Sequence, residues 1–234
     1  MNIIIKTNKL LVKHFGIPPR RKELPNSVDM IIATILSQNT NDNNSYKAYQ
    51  NLKGKYKSWN ELLTVHRSTI EKEIKIAGLG LQKSKAIKDF ITKLYQERKS
   101  ITLDHISNLD NETAINELTK YIGIGVKTAS CVLLFAEGRN VCPVDTHVHR
   151  TLNRIGAVET STPDKTFAKL NEKFPPKIAH QFHTNLIRLG REICKPKNPS
   201  CGICPLIGIC IFSKKDSLNT SKGKVRSFML LDSV

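Results

Sequence analysis

No apolar run in this chain approaches the roughly 20 residues that a helix needs to cross a bilayer. The early stretch from Met1 to Ile5 is cut short by Lys6, so membrane insertion is set aside. A basic segment leading into a long apolar segment and a small-residue cleavage site is also missing, and an intracellular, reducing setting is expected instead of export. Nor does period-two alternation persist long enough anywhere to propose a sheet. Acidic residues are scarce as well: 20 Asp plus Glu stand against 37 Lys plus Arg, for a formal charge of +17 and a pI near 9.7. Such an imbalance favours a polyanionic partner, nucleic acid first. Charge alone leaves open a basic, soluble surface that binds polyanions only weakly.

Helical periodicity is what the sequence does contain. Val28, Ile31, Ile32, Ile35 and Leu36 fall on one helical face after a start marked by Pro25 and Asn26. Further helices are predicted around Tyr46, Tyr49 and Leu52, around Ile87, Phe90, Ile91 and Leu94, and around Ile115 and Leu118. Val148, Leu152 and Ile155, then Phe182, Leu186 and Ile193, extend the pattern. An all-α architecture follows, and 234 residues allow one large or two small domains. The segment from Pro18 to Pro25 reads as a connection between a first helix and the following helical body. From Ser213 to Val225 the apolar period is lost and the composition turns to Ser, Lys, Asn and Asp, which predicts a flexible tail over residues 213–234 with a frayed apolar end at Phe228 to Leu231.

One hairpin is rich in chemistry. Asn111 to Tyr121 and Val126 to Gly138 read as two helices joined by a tight turn, in which Gly123 and Gly125 suit positive φ or close backbone approach. Unpaired amides at the start of the second helix, from Val126 on, can hold a DNA phosphate without reading sequence. Close packing of two helices would call for the same glycines. Lys127 opens the second helix, where the positive dipole end disfavours a further positive charge, so a partly neutral amine able to form a Schiff base is one reading. A protonated lysine paired with phosphate is the other. Asp145 follows Pro143 and Val144 and stands where an N-cap belongs, ahead of the amphipathic stretch that begins at Thr146. That placement also holds a carboxylate still.

Four of the six cysteines lie within seventeen residues. Cys194, Cys201, Cys204 and Cys210 have the spacing Cys-x6-Cys-x2-Cys-x5-Cys, a compact set that suits tetrahedral zinc or a cubane iron–sulfur cluster. Spacing does not choose between them. Lys195 and Lys197 sit in the short loop between the first two cysteines and are candidates for phosphate contact. Cys131 and Cys142, outside the set, read as buried thiols.

Tyr121 to Ala129 together with Val144-Asp145-Thr146-His147 resembles the paired signature of the endonuclease III family, in which a hairpin lysine precedes a catalytic aspartate by eighteen positions, as Lys127 precedes Asp145 here. The cysteine spacing is also that of the family. The usual hairpin proline is replaced by Ile122, which alters turn rigidity more than chemistry. This resemblance spans roughly Asn26 to Cys210 and implies a helix-hairpin-helix fold with a [4Fe–4S] cluster, zinc remaining the alternative. It implies an iron–sulfur domain from residues 1–25 and 139–212, a six-helix domain at 26–138, and an active cleft between them. Lys127 and Asp145 are the implied catalytic residues of a bifunctional DNA glycosylase and abasic-site lyase acting on oxidised pyrimidines in double-stranded DNA. A monomer associated with intracellular DNA is expected.

Ser37-Gln38-Asn39-Thr40 resembles the family segment whose glutamine fills the gap left by a flipped nucleotide, making Gln38 a candidate plug. Gly80 to Lys85 resembles a loop whose leucine wedges the opposite strand, which points to Leu81 or else to ordinary packing at a helix start. His147 lines the damaged-base pocket or merely occupies the first turn of its helix. A glycosylase for mismatched thymine or oxidised guanine, or a non-catalytic DNA-binding module, remains a rival reading.

Overall fold

The computed structural model describes residues 2–225 and 228–234, and no β-strand occurs among them. The α-helices are α1 (Ile3–Phe15), α2 (Ser27–Ser37), α3 (Asp42–Lys55), α4 (Arg67–Ile74), α5 (Gly80–Arg98), α6 (Asn111–Thr119), α7 (Val126–Phe135), α8 (Thr146–Arg154), α9 (Pro163–Asn171) and α10 (Ala179–Glu192). Among the described residues no helix is long and apolar enough to cross a membrane. The chain divides into two compact units, Met1–Arg20 with Arg139–Ser227, and Arg21–Gly138 with Phe228–Val234. The first break falls inside the segment expected to connect helix and body.

The second unit is built around α2. Five apolar residues on one face predict an amphipathic helix, yet every residue from Val28 to Leu36 except Asp29 is buried. The reason is packing on several sides, by α3, α5, α7 and a short 3-10 turn at Leu230–Asp232. Asp29 is tolerated there because its Oδ1 accepts from Trp59 Nε1 at 2.6 Å and from Lys53 Nζ at 3.3 Å. Asn26 starts the helix, its Oδ1 accepting from the Val28 amide at 2.8 Å.

The chain end departs from the expected free tail. Met229, Leu230 and Val234 are buried in the second unit, Phe228 meets the Tyr46 ring edge-on at 5.5 Å, and Arg21 Nη2 donates to the Ser233 carbonyl at 2.6 Å. Upstream, the Gly202 amide donates to Asn219 O at 2.9 Å and Asn219 Nδ2 to Pro199 O at 3.1 Å, so the polar stretch packs on the cysteine loop. Low hydropathy hid this, because the stretch is held by hydrogen bonds to backbone carbonyls, which leave no apolar period. Arg226 and Ser227, also within the expected tail, lie outside the described residues.

In the first unit α10 is the central helix, packed by α1 and α8. Asn185 Nδ2 donates to Gly16 O at 2.9 Å, and the Arg188 guanidinium lies 4.5 Å from the Phe15 ring centre, which fixes α1 along it. The approach of α8 depends on Gly190: a Cβ there would stand 2.6 Å from His147 Cβ. Gly190→Ala is expected to lower unfolding free energy by about 1–3 kcal/mol through overpacking. Denaturant titration checks it, and an unchanged midpoint would show that α8 shifts freely.

Candidate active site and cysteine cluster

Three of the segments singled out in the sequence come together in the second unit. α6 ends at Thr119, and the chain turns through Tyr121 to Gly125 before α7 begins. Gly123 takes φ +85°, the left-handed conformation expected of it, whereas Gly125 is extended at φ −93° and serves as the N-cap of α7. A Cβ on Gly123 would stand 2.9 Å from Ala86 Cβ on α5, so the turn needs glycine twice over, for its φ and for its contact. Tyr121 anchors the turn from below, its hydroxyl donating to Glu97 Oε2 at 2.9 Å and its ring meeting Phe90 edge-on at 5.2 Å. Ile122, in the place of the usual proline, is 72% exposed at the tip.

Gly125 offers α7 no side-chain cap, and among the described residues no side-chain cap bond reaches the first amides of this helix. Lys127 is half-buried in that first turn. Within the described residues no hydrogen bond or ion pair engages its amine. Gln38, just past α2, is exposed and donates from Nε2 to the Gly123 carbonyl at 3.3 Å. Leu81, in the first turn of α5, is 54% exposed and so is not a core residue.

Asp145 belongs to the first unit. Its Oδ1 accepts from the amides of His147 at 2.9 Å and Val148 at 2.8 Å, a double N-cap that fixes the carboxylate at the start of α8. His147 is half-buried, and burial holds its imidazole below the usual histidine range, with Arg150 and Arg191 acting in the same direction against Asp145. Arg150 Nη2 lies 3.2 Å from His147 Nδ1 and donates to Gly190 O at 2.9 Å, while its Nε donates to Cys194 O at 2.9 Å. One arginine thus spans the helix start and the first cysteine. Its position in the hydrophilic face of α8 gives no sequence signal for this.

Cys194, Cys201, Cys204 and Cys210 line one small cavity together with Arg154, Ile193 and Phe212. Burial, and then the nearby sulfurs of Cys194, Cys210 and Cys201, push the Cys204 thiol up to about 12. Holding four thiolates around one cavity calls for a cationic centre among them. Arg154 supports the set from outside: Nη1 donates to Cys194 Sγ at 3.3 Å and to Lys195 O at 2.8 Å, Nη2 donates to Pro196 O at 3.0 Å, and the guanidinium stacks 4.1 Å from the Phe212 ring centre. Among the described residues, no three His, Cys, Asp or Glu side chains converge on a single-ion position. A tetrahedral ion with bonds of about 2.3 Å would need sulfurs about 3.8 Å apart. A cubane, where each thiolate binds a different iron, takes a wider set of sulfurs than such an ion, and four cysteines lining one cavity supply its number of donors. Lys195 is half-buried and Lys197 exposed on the loop this set ties down, and both line an open groove with Lys214. Cys131 and Cys142 are buried, as expected of core thiols.

Comparison with known proteins places these features. The model of the HhH-GPD superfamily base excision DNA repair protein matches residues 32–176, and that of the iron-sulfur binding domain of endonuclease III matches residues 194–210. The cofactor is accordingly a [4Fe–4S] cluster, and zinc is left without support. Endonuclease III of Thermotoga maritima is 33% identical over 217 residues, 93% of this chain and 94% of that protein. A longer Arabidopsis thaliana relative is 34% identical over 191 residues, 77% of this chain, which spans 65% of that relative's length. Among solved structures, a non-covalent endonuclease III–DNA complex superposes with a TM-score of 0.76 at 26% identity, covering 89% of this chain and 94% of that one. A trapped endonuclease III–DNA covalent intermediate gives 0.73 at the same identity and coverage. From fold, cysteine domain and sequence alike, the chain belongs to the HhH-GPD superfamily of base excision DNA repair proteins and, within it, to the endonuclease III family.

Proposed function

We propose that this chain excises oxidised pyrimidines from double-stranded DNA and nicks the resulting abasic site, with Lys127 as nucleophile and Asp145 as the carboxylate that assists it. The observation that carries the reading is the unengaged amine of Lys127 in an uncapped first helical turn. Such a turn attracts a phosphate through its amides and leaves the lysine available to a carbon nearby. The α6–turn–α7 element is read as the helix-hairpin-helix. A solved relative described as a trapped DNA covalent intermediate supports covalent chemistry in the fold.

A target base stacked in duplex hides its sugar, so the nucleotide leaves the stack before reaction. The Lys127 amine attacks C1′ of the deoxyribose as the C1′–N bond to the damaged base breaks, the departing base taking the electron pair. The fixed Asp145 carboxylate stabilises positive charge developing on the sugar and accepts a proton from the attacking amine. Ring opening gives an imine between Lys127 and C1′. Loss of a C2′ proton and of the 3′ phosphate then cuts the strand by β-elimination, and water releases the lysine. Gln38 fills the vacated space, Leu81 wedges the opposite strand, His147 borders the base, and Gly123, Gly125, Val126, Lys195 and Lys197 contact phosphate.

Cys194, Cys201, Cys204 and Cys210 hold the cluster, which supplies a structural crosslink to the loop bearing Lys195 and Lys197. Cys204→Ser is expected to remove the absorbance near 400 nm and to cost several kcal/mol of unfolding free energy, on the order seen when structural metal is lost. Retained iron with an unchanged melting curve would remove Cys204 from the ligand set. The central test of function incubates the protein with a thymine-glycol duplex and borohydride. A covalent protein–DNA adduct is expected, and binding without adduct or nicking would select the non-catalytic alternative. Single-lesion duplexes carrying mismatched thymine or oxidised guanine separate the remaining substrate readings.

A further inference from the structure

Lys83, in the first turn of α5, is 1% exposed and is among the largest fully buried side chains of the described residues. Its Nζ donates to the carbonyls of Leu36 and Ala77, both at 2.8 Å. Leu36 is the next-to-last residue of α2, and Ala77 ends the 3-10 turn Lys75–Ala77. Both carbonyls are therefore helix-end acceptors, where backbone partners run out and the dipole is negative. Burial alone pulls the ammonium down to about 8, and no carboxylate contributes. An apolar side chain of similar length would avoid that desolvation, but it could not join two carbonyls.

The backbone just beyond each carbonyl gives the tie its meaning. Three residues after Leu36 the chain enters the left-handed region at Asn39, φ 51°, with Gln38 exposed just before it. Two residues after Ala77 it does so again at Leu79, φ 49°, ahead of the exposed Leu81. A left-handed leucine is unfavourable and persists only where its surroundings hold it. Gln38 in turn touches Gly123 O, and Gly123 rests on Ala86, three residues beyond Lys83 on α5. The buried ammonium is thus the common root of two exposed tips.

We propose that Lys83 is a positioning residue that locks the Gln38 and Leu81 segments in the conformation that opens the duplex. The proposal rests on the plug and wedge reading of Gln38 and Leu81. It acts through pre-organisation: segments already rooted lose little freedom when DNA binds, and a displacement of about 1 Å in such a constellation can cost on the order of 100-fold in rate.

The experiment is a double-mutant cycle on the full chain, using a thymine-glycol duplex with 2-aminopurine opposite the lesion. Lys83→Met is expected to keep the helical circular dichroism, the cluster absorbance and DNA affinity within about threefold, while nicking falls by about 10- to 100-fold and the fluorescence rise of the opened base is lost. In a Gln38→Ala/Leu81→Ala background the same change is expected to cost less than about twofold, since the segments it positions no longer carry their tips. Lys83→Arg, which keeps donors and charge, is expected to recover most of the loss. Equal cost in both backgrounds, or none in either, overturns the proposal. So does loss of fold in both Lys83→Met and Lys83→Gln, which assigns Lys83 to the core. If Gln38→Ala/Leu81→Ala itself nicks and opens DNA normally, the plug and wedge reading falls first and takes this one with it. A deficient double variant beside a normal Lys83→Met leaves that reading standing and overturns only the tie.

Discussion

Lys127→Ala is expected to abolish borohydride trapping and to slow strand nicking by at least about 1,000-fold, because it removes the amine proposed to form the imine. Lys83 and Lys88, in the same unit, have their amines engaged by two and three backbone carbonyls respectively. Removal of the Lys127 amine breaks no hydrogen bond or ion pair within the described residues, so stability should change by no more than about 0.5 kcal/mol. DNA affinity should also survive, since one cation among a net charge of +17 is lost. Trapping gels, nicking rates and a binding titration on the same preparation check all three. An adduct that persists in the alanine variant would move the nucleophile elsewhere and sink the proposed mechanism.

Asp145 offers a cleaner separation of chemistry from structure, because asparagine equals aspartate as an N-cap. In Asp145→Asn the bonds from the His147 and Val148 amides, 2.9 and 2.8 Å in the structure, can be kept by the amide oxygen while the carboxylate charge is removed. Nicking is expected to fall by roughly 100- to 1,000-fold while unfolding free energy stays within about 0.5 kcal/mol. Asp145→Ala, which loses the cap too, should cost about 1 kcal/mol in addition. Full activity in the asparagine variant would reduce Asp145 to a capping residue. A stability loss equal in both variants would instead show that the carboxylate charge itself holds α8.

Much of this site was open to reading because its signals are local. A lysine in the first turn of a helix, an aspartate at the head of another and four cysteines at fixed intervals each depend on residues close in sequence. Gly123 was legible for the same reason, since a tight turn between two helices calls for positive φ at one of its residues. Gly125 was read with it, yet it takes extended backbone and serves as an N-cap, a distinction that composition does not carry. Arg150 and Arg154 escaped notice because they look like ordinary solvated residues of α8, although both reach the Cys194 region from there.

Lys83 shows the same limit from the inside. In Gly80-Leu81-Gln82-Lys83-Ser84-Lys85 it is indistinguishable from Lys85, yet the first is buried and the second exposed. The difference arises because two helix-end carbonyls, at Leu36 far away in sequence and at Ala77 six residues before Lys83, meet above one of the two and not the other. The apolar chain end, expected to fray, is buried for a comparable reason: α2 and α3 leave a surface that nothing nearer in sequence covers.

By itself the sequence determined the helical class, the spacing of the four clustered cysteines, the places of Lys127 and Asp145 at helix starts and the basic character, because periodicity, spacing and charge are properties of neighbours along the chain. Only the tertiary structure decided that α2 is enclosed on several sides, that the last residues close its unit, and that one buried ammonium roots two exposed loops. Those depend on which surfaces meet after folding, and burial of a charge is worth its desolvation only where fold partners supply the acceptors.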